Sequence, residues 1–264
     1  MRVTKMSFEE TKNRRCLVSR SRAVIDRPYS GQRGFSLIEI MIVLIILLIT
    51  AGAIFQVINL ATERSSTEQT KLDMFQEGRE FMDQMSRDLR QAGYPNPRNV
   101  SQSVLTQVPT RNDRHAAAGL VKIDSGELWF EGDVDGTGTV SVIRYHLEPL
   151  GNNCPCLQRS QLLKIDADPL TAQTTASYQV EVQGVQNTNI FTAYADTAVV
   201  GLPVTTLSGS GNTIASIDTV QAILYLRAAT IDPKTRQRPV TTLVSTVKLN
   251  NCSQAATGAP MSCQ

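Results

Sequence analysis

From Phe35 the chain reads FSLIEIMIVLIILLITAGAIFQVINLA, and no residue between 40 and 58 is charged. A helix needs about 20 apolar residues to cross the hydrocarbon core of a bilayer. The segment therefore predicts one membrane-spanning helix over about residues 37–59. Residues 1–34 hold nine basic side chains (Arg2, Lys5, Lys12, Arg14, Arg15, Arg20, Arg22, Arg27, Arg33) against three acids (Glu9, Glu10, Asp26). Basic flanks stay cytoplasmic, so everything after the span is expected on the far side of the membrane.

Two ordinary arrangements fit this pattern poorly. A secretory signal is cut after its apolar core, at small residues, whereas the candidate cut at Arg33-Gly34-Phe35 comes before it. A plain signal anchor leaves Glu39 unexplained. An acid in a spanning helix costs roughly 2.5–3.5 kcal/mol at the centre and less near the interface, and marks function by default.

The residues Gly34-Phe35-Ser36-Leu37-Ile38-Glu39, followed by Ile40-Met41-Ile42-Val43-Leu44, resemble the prepilin N-terminal processing and methylation motif. That motif is shared by type IV pilins and type II secretion pseudopilins. The resemblance implies cleavage after Gly34 by a membrane prepilin peptidase and N-methylation of Phe35. It also implies a role for Glu39 in pairing with a neighbouring subunit's amine. The chemistry is coherent: cleavage leaves an ammonium on Phe35 in an apolar setting, and a carboxylate from an adjacent helix offsets an otherwise costly charge.

No proline falls between residues 35 and 94, and Pro95 and Pro97 follow Gly93. These signals predict one helix over 35–93, about 80 Å at 1.5 Å per residue. Leu72, Phe75, Gly78, Met82, Met85 and Leu89 are spaced small or apolar positions, and from Phe75 to Leu89 their spacing of 3, 4, 3, 4 forms a single helical stripe expected to pack on a head. The surrounding charges, Asp83, Arg87, Asp88 and Arg90 among them, read as a solvated face with i,i+4 pairs such as Asp83–Arg87. The segment QEGREFMDQMSRDLRQAGY resembles the one that follows the membrane helix in PilW-type minor pilins, and less closely that of J-type minor pseudopilins.

Residues 94–264 are expected to form a β-rich head. Residues 99–119 read as a polar loop. Glu127, Leu128, Trp129 and Phe130, with residues 140–147, read as a hairpin around an Asp/Gly turn at 132–138. Residues 157–165 and 178–185 are further strands, and 219–228 with 241–249 read as a closing hairpin. The pattern predicts an α+β fold class, and the resemblance implies a type IV pilin-like fold. Its long N-terminal helix packs on an antiparallel sheet of roughly five to seven strands. Asp133 and Asp135 are a weak calcium candidate, because a calcium loop needs further oxygen ligands and no acid follows before Glu148. Asp/Gly turn chemistry explains them better.

The body differs from the leader in charge: without residues 1–34 it holds 17 basic and 21 acidic residues, a net of −4. A mildly acidic body does not favour nucleic acid as a partner. Cys16 lies in the leader, and Cys154, Cys156, Cys252 and Cys263 lie in the body. In an exported head these four are disulfide candidates. The first choice is Cys252–Cys263, with Cys154 and Cys156 either paired across a small strained ring around Pro155 or free. A crossed pairing of 154/156 with 252/263 is the second. Neither the histidines His115 and His146 nor the cysteines complete a zinc spacing.

No nucleophile elbow, zinc-protease helix or phosphate-binding glycine loop occurs. The chain reads as a substrate of enzymes rather than an enzyme, with no catalytic residue, cofactor or metal. A signal-anchored periplasmic hydrolase is the distant alternative. The resemblance implies a bacterial inner-membrane precursor that later enters a cell-surface filament. Its partners would be other pilins, the prepilin peptidase/N-methyltransferase, the inner-membrane assembly machinery and membrane lipid. A PilW-like minor pilin is the first reading, and a J-type minor pseudopilin of type II secretion is the alternative.

Overall fold

The computed structural model describes residues 34–151, 154–205, 212–232 and 235–250. The chain divides into two compact units, Met1–Phe55 and Gln56–Gln264. The described part of the first unit is the start of α1 (Leu37–Gln91), whose side chains there are almost all exposed. Among the described residues α1 is the one helix long and apolar enough to cross a membrane, by length and composition.

The second unit holds the rest of α1 and the head. Among the described residues ten strands follow α1: β1 (Leu120–Asp124), β2 (Glu127–Gly132), β3 (Ser141–Glu148), β4 (Cys156–Leu163), β5 (Gln179–Gln183), β6 (Phe191–Ala195), β7 (Ala198–Val200), β8 (Val204–Thr205), β9 (Thr219–Arg227) and β10 (Val240–Lys248). A four-residue helix, α2 (Asn212–Ala215), precedes β9. The strands form two antiparallel sheets, ordered β5-β4-β3-β2-β1-β8 and β10-β9-β6-β7. The α+β class is as expected. The head is larger than the anticipated five to seven strands, because β1, β6, β7 and β8 lie in stretches that carry little alternation.

The α1 stripe packs from Gly78 onward through Phe81, Met82, Met85 and Leu89. Leu72 and Phe75 stay exposed, at 66% and 42%, so the predicted stripe begins a turn later than its spacing suggested. Phe81 meets Tyr145 edge-on, with ring centroids 5.5 Å apart, and Phe130 stacks behind Tyr145. Leu128, Ile143 and Leu157 of one sheet and Val220, Leu224 and Leu226 of the other complete the core. In β9 buried Val220, Ala222, Leu224 and Leu226 alternate with outward residues, as a one-sided antiparallel strand should.

The close of α1 explains the motif at residues 87–94. Gly93 adopts φ 79°, a left-handed conformation that glycine enters without a Cβ penalty. Its N–H donates to the Glu131 carbonyl at 2.8 Å, and Ala92 bridges Gly132. The Asp133 N–H donates to the Tyr94 carbonyl at 2.9 Å. The helix end is thus stitched main chain to main chain onto the end of β2. A Cβ on Gly132 would lie 2.4 Å from the Gln91 carbonyl oxygen, so this close approach requires glycine.

The loop at 99–119 is less irregular and less exposed than its polarity implied. It holds two 3-10 turns, Pro97–Asn99 and Thr110–Asn112, and Ala116, Ala117 and Ala118 are buried. The buried Asp113 carboxylate organises it, accepting main-chain N–H groups of Thr106 (2.6 Å), Gln107 (3.2 Å) and His115 (2.9 Å). Burial alone would raise the Asp113 pKa, but these donors overcome it and hold the carboxyl well below the usual range.

Candidate functional site

The N-terminal residues singled out by sequence lie together at the opening of α1. Gly34, Phe35 and Ser36 precede the helix in open coil, and the Ser36 carbonyl accepts from Glu39 N (3.0 Å) and Ile40 N (3.2 Å). Glu39 thus sits in the first turn, where a carboxylate faces the positive end of the helix dipole. Phe35 is 77% exposed, and a Cβ built on Gly34 meets nothing within 4 Å. Among the described residues, nothing packs closely enough to require glycine at 34. Below Glu39 the helix shows an unbroken exposed apolar surface, including Ile42, Val43, Ile46, Leu47 and Ile54. Chemically, this is an accessible peptide bond beside a lone acid on a lipid-compatible rod.

The other candidates lie in the second unit. Cys154 and Cys156 are bonded to each other, with Cα atoms 4.4 Å apart. The structure thus takes the paired one of the two states left open for them and departs from the crossed pairing with 252/263. Cys252 and Cys263 lie outside the described residues, as does most of the leader. Asp133 and Asp135 act as turn formers. Asp133 accepts from Thr137 N (3.0 Å) and Gly138 N (2.9 Å), and Asp135 accepts from the Thr137 N–H and hydroxyl. The Thr137 hydroxyl and N–H lower the Asp135 pKa. Among the described residues no group of three or more His, Cys, Asp or Glu side chains is placed to hold a metal ion.

Asp88, expected on a solvated helix face, instead anchors a buried polar cluster. Asp88 is 2% exposed. Its carboxylate accepts from the Tyr145 hydroxyl (2.7 Å), Arg159 Nε (2.9 Å) and Gln84 Nε2 (2.7 Å). Burial and the Asp88 charge push the Tyr145 hydroxyl well above its ordinary range. Burial opposes the Arg159 charge, but Asp88 and Tyr145 outweigh it and raise that pKa. Arg87 donates to Gln84 Oε1 rather than forming the expected pair with Asp83. The helical spacing Phe81, Met85, Asp88, Ala92 places Asp88 on the packed face and was the available signal. Lys164 and Glu131 form a second, fully buried pair at 2.7 Å. Burial raises the Glu131 pKa, opposed by the Lys164 charge.

Comparison with known proteins matches residues 29–55 to the prokaryotic N-terminal methylation motif. No curated protein and no solved structure is significantly similar to the chain. The matched segment covers the Gly34–Phe35 junction, Glu39 and the apolar start of α1. Such motifs belong to structural, membrane-anchored precursors that prepilin peptidase processes and that assemble with other pilins. Seated at the head of a long apolar helix that packs on antiparallel sheets, the motif supports a type IV pilin-like or pseudopilin-like protein.

Proposed function

We infer that the chain is a minor type IV pilin of PilW-like character, cut after Gly34 and built through α1 into a pilus, where it promotes assembly. The observation that carries this reading is the pairing of an accessible Gly34–Phe35 bond with one acid, Glu39, in the first turn of α1, ahead of an apolar run that stays uncharged to residue 62. The basic leader, residues 1–34, stays cytoplasmic. The helix, residues 35–93, anchors the precursor in the inner membrane and later enters the filament core. The head, residues 94–264, lies outside and catalyses nothing. That a Cβ at Gly34 meets only open space supports a glycine needed by the peptidase rather than by the fold.

Mass spectrometry of the mature N-terminus tests the reading: it predicts methylated Phe35. Glu39→Ala should be cleaved normally yet enter filaments poorly. Stranding one member of a buried ion pair costs about 3–5 kcal/mol, so the filament fraction should fall by roughly two to three and a half orders of magnitude. Wild-type amounts of the variant in sheared filaments would refute the pairing role. Deletion separates the pilus from a secretion pseudopilus: loss of surface pili and twitching supports the first, loss of enzyme secretion the second.

A further inference from the structure

Of the devices that normally blunt a sheet edge, the edge strand β10 carries one charge, Lys248 at its C-terminal end, and none along the eight residues before it. It pairs with β9 over nine consecutive positions without a bulge. Residues 240–247 hold no charge and no proline. Natural proteins protect such edges with charges, prolines, bulges or short length, because an open edge is a template for another strand. The Ala228 N–H to Pro239 carbonyl bond and the Leu249 N–H to Asp218 carbonyl bond set the phase of the ladder. Thr241, Leu243, Ser245 and Val247 therefore turn their main-chain groups to β9. Val240, Thr242, Val244 and Thr246 turn theirs outward, and among the described residues these outward groups meet no partner. The same four residues are exposed.

We propose that the open edge of β10 is a main-chain docking site for an extended, uncharged strand from the head of a different filament subunit. The inference rests on the filament reading above. A second copy of this chain fits badly. Its remaining edges are β5, β7 and β8, of five, three and two residues, too short to cover nine. The β5 edge is also engaged, since the Gln183 N–H donates to Glu77. Antiparallel β10–β10′ pairing has its two-fold axis perpendicular to the sheet. The α1 segment lies across the inner face of β10, with the Ser86 and Ser245 hydroxyls 2.9 Å apart. That axis would run the two α1 segments in opposite directions, which helices sharing one membrane cannot do. A parallel pair would put them on opposite faces of the joined sheet. A single strand edge is small for an independent interface. It becomes effective once helix packing has raised the local concentration of neighbouring heads.

Val244→Pro tests this, because it removes an outward N–H while the inward ladder to β9 stays intact. Thr246→Lys is the second variant, placing a charge on the edge, and Val244→Thr is the control that keeps the N–H. Each is expressed as the full chain in its own host. Val244→Pro and Thr246→Lys should keep wild-type membrane level and cleavage while recovery in sheared filaments falls about tenfold, as the loss of one or two net hydrogen bonds predicts. A benzoylphenylalanine photocrosslinker at Thr242 should join the chain to a different subunit that bears its own methylation motif. Equal recovery of all three variants would overturn the proposal. So would a crosslink to a second copy or to residues 251–264 of the same chain. If wild-type chain is itself missing from filaments, the filament reading fails instead.

Discussion

Asp88→Ala should destabilise the head by about 3 kcal/mol. The carboxylate is buried and receives Tyr145, Arg159 and Gln84, while Arg159 keeps only 15% of its side-chain surface exposed. Removing one partner of such a pair costs about 3–5 kcal/mol, because the other charge and a buried hydroxyl lose their acceptor. Alanine's better helix propensity returns about 0.5 kcal/mol. Partial hydration of Arg159 places the result at the low end. Asp88→Asn keeps an oxygen for Tyr145 and loses only the ion pair, so it should cost about 1–2 kcal/mol. The chain's single tryptophan, Trp129, lies in β2 under the Arg144 guanidinium, 3.9 Å from its centre, and so reports head unfolding by fluorescence. Urea titration of the full chain in detergent should move the midpoint down by about 1.5 M for a slope near 2 kcal/mol/M. In the double-mutant cycle with Tyr145→Phe, the two losses should overlap by about 1 kcal/mol, since both variants break the same bond. A shift below about 0.5 M, or additive losses, would refute the claim that Asp88 locks α1 to the sheet.

Two glycines of α1 and β2 should respond differently to alanine. Gly132→Ala meets the main-chain oxygen of Gln91 at 2.4 Å and should cost about 1–3 kcal/mol or more in the same titration. Gly78→Ala meets only the ends of the Leu243 and Leu226 side chains, at 2.4 and 2.6 Å, and gains about 1 kcal/mol in helix propensity, so its net change should stay within about 1 kcal/mol. Asp113 supplies an acid-sensitive contribution. Its folded pKa lies below the ordinary 3.8, so its stabilisation is present above that value and is lost as pH falls through it toward the folded pKa. Asp113→Asn should lose about 1–3 kcal/mol at neutral pH and show a shallower stability slope below about pH 4.

The elements governed by local pattern were legible in the sequence. The apolar run, the proline-free stretch and Gly93 delimited α1 to within two residues at each end. The period-2 runs located β2, β3, β9 and β10. What escaped were charges buried by distant partners. Asp88 is separated from Tyr145 by 57 residues and from Arg159 by 71, so the helical spacing could place it on the packed face but could not reveal the partners that make its burial tolerable. Arg144 lies in β3, and nothing in its neighbouring sequence marks it as buried. It is 1% exposed because the main chain at Gln173, Thr174 and Thr175 folds over it and accepts its guanidinium. Lys164 is hidden in the same way, donating to Glu131 and to the Ala116 carbonyl.

The segment at residues 87–94 carries the resemblance to PilW-type minor pilins, and its physical role bears on what that resemblance means. Asp88 holds Tyr145 and Arg159 of the sheet. Leu89 is fully buried, Ala92 bridges Gly132, and Gly93 turns the chain so that Tyr94 joins the end of β2. Each position serves the docking of one helix end onto one sheet within a single subunit. In this chain the acid, the leucine, the small residue and the glycine all serve that seating. The segment therefore reports head architecture, not place in a filament. Discrimination between a pilus and a secretion pseudopilus must come from surfaces that face other subunits. Among the described residues β10 is the longest edge strand, so whether another subunit's strand docks on it, as proposed above, is the more informative measurement.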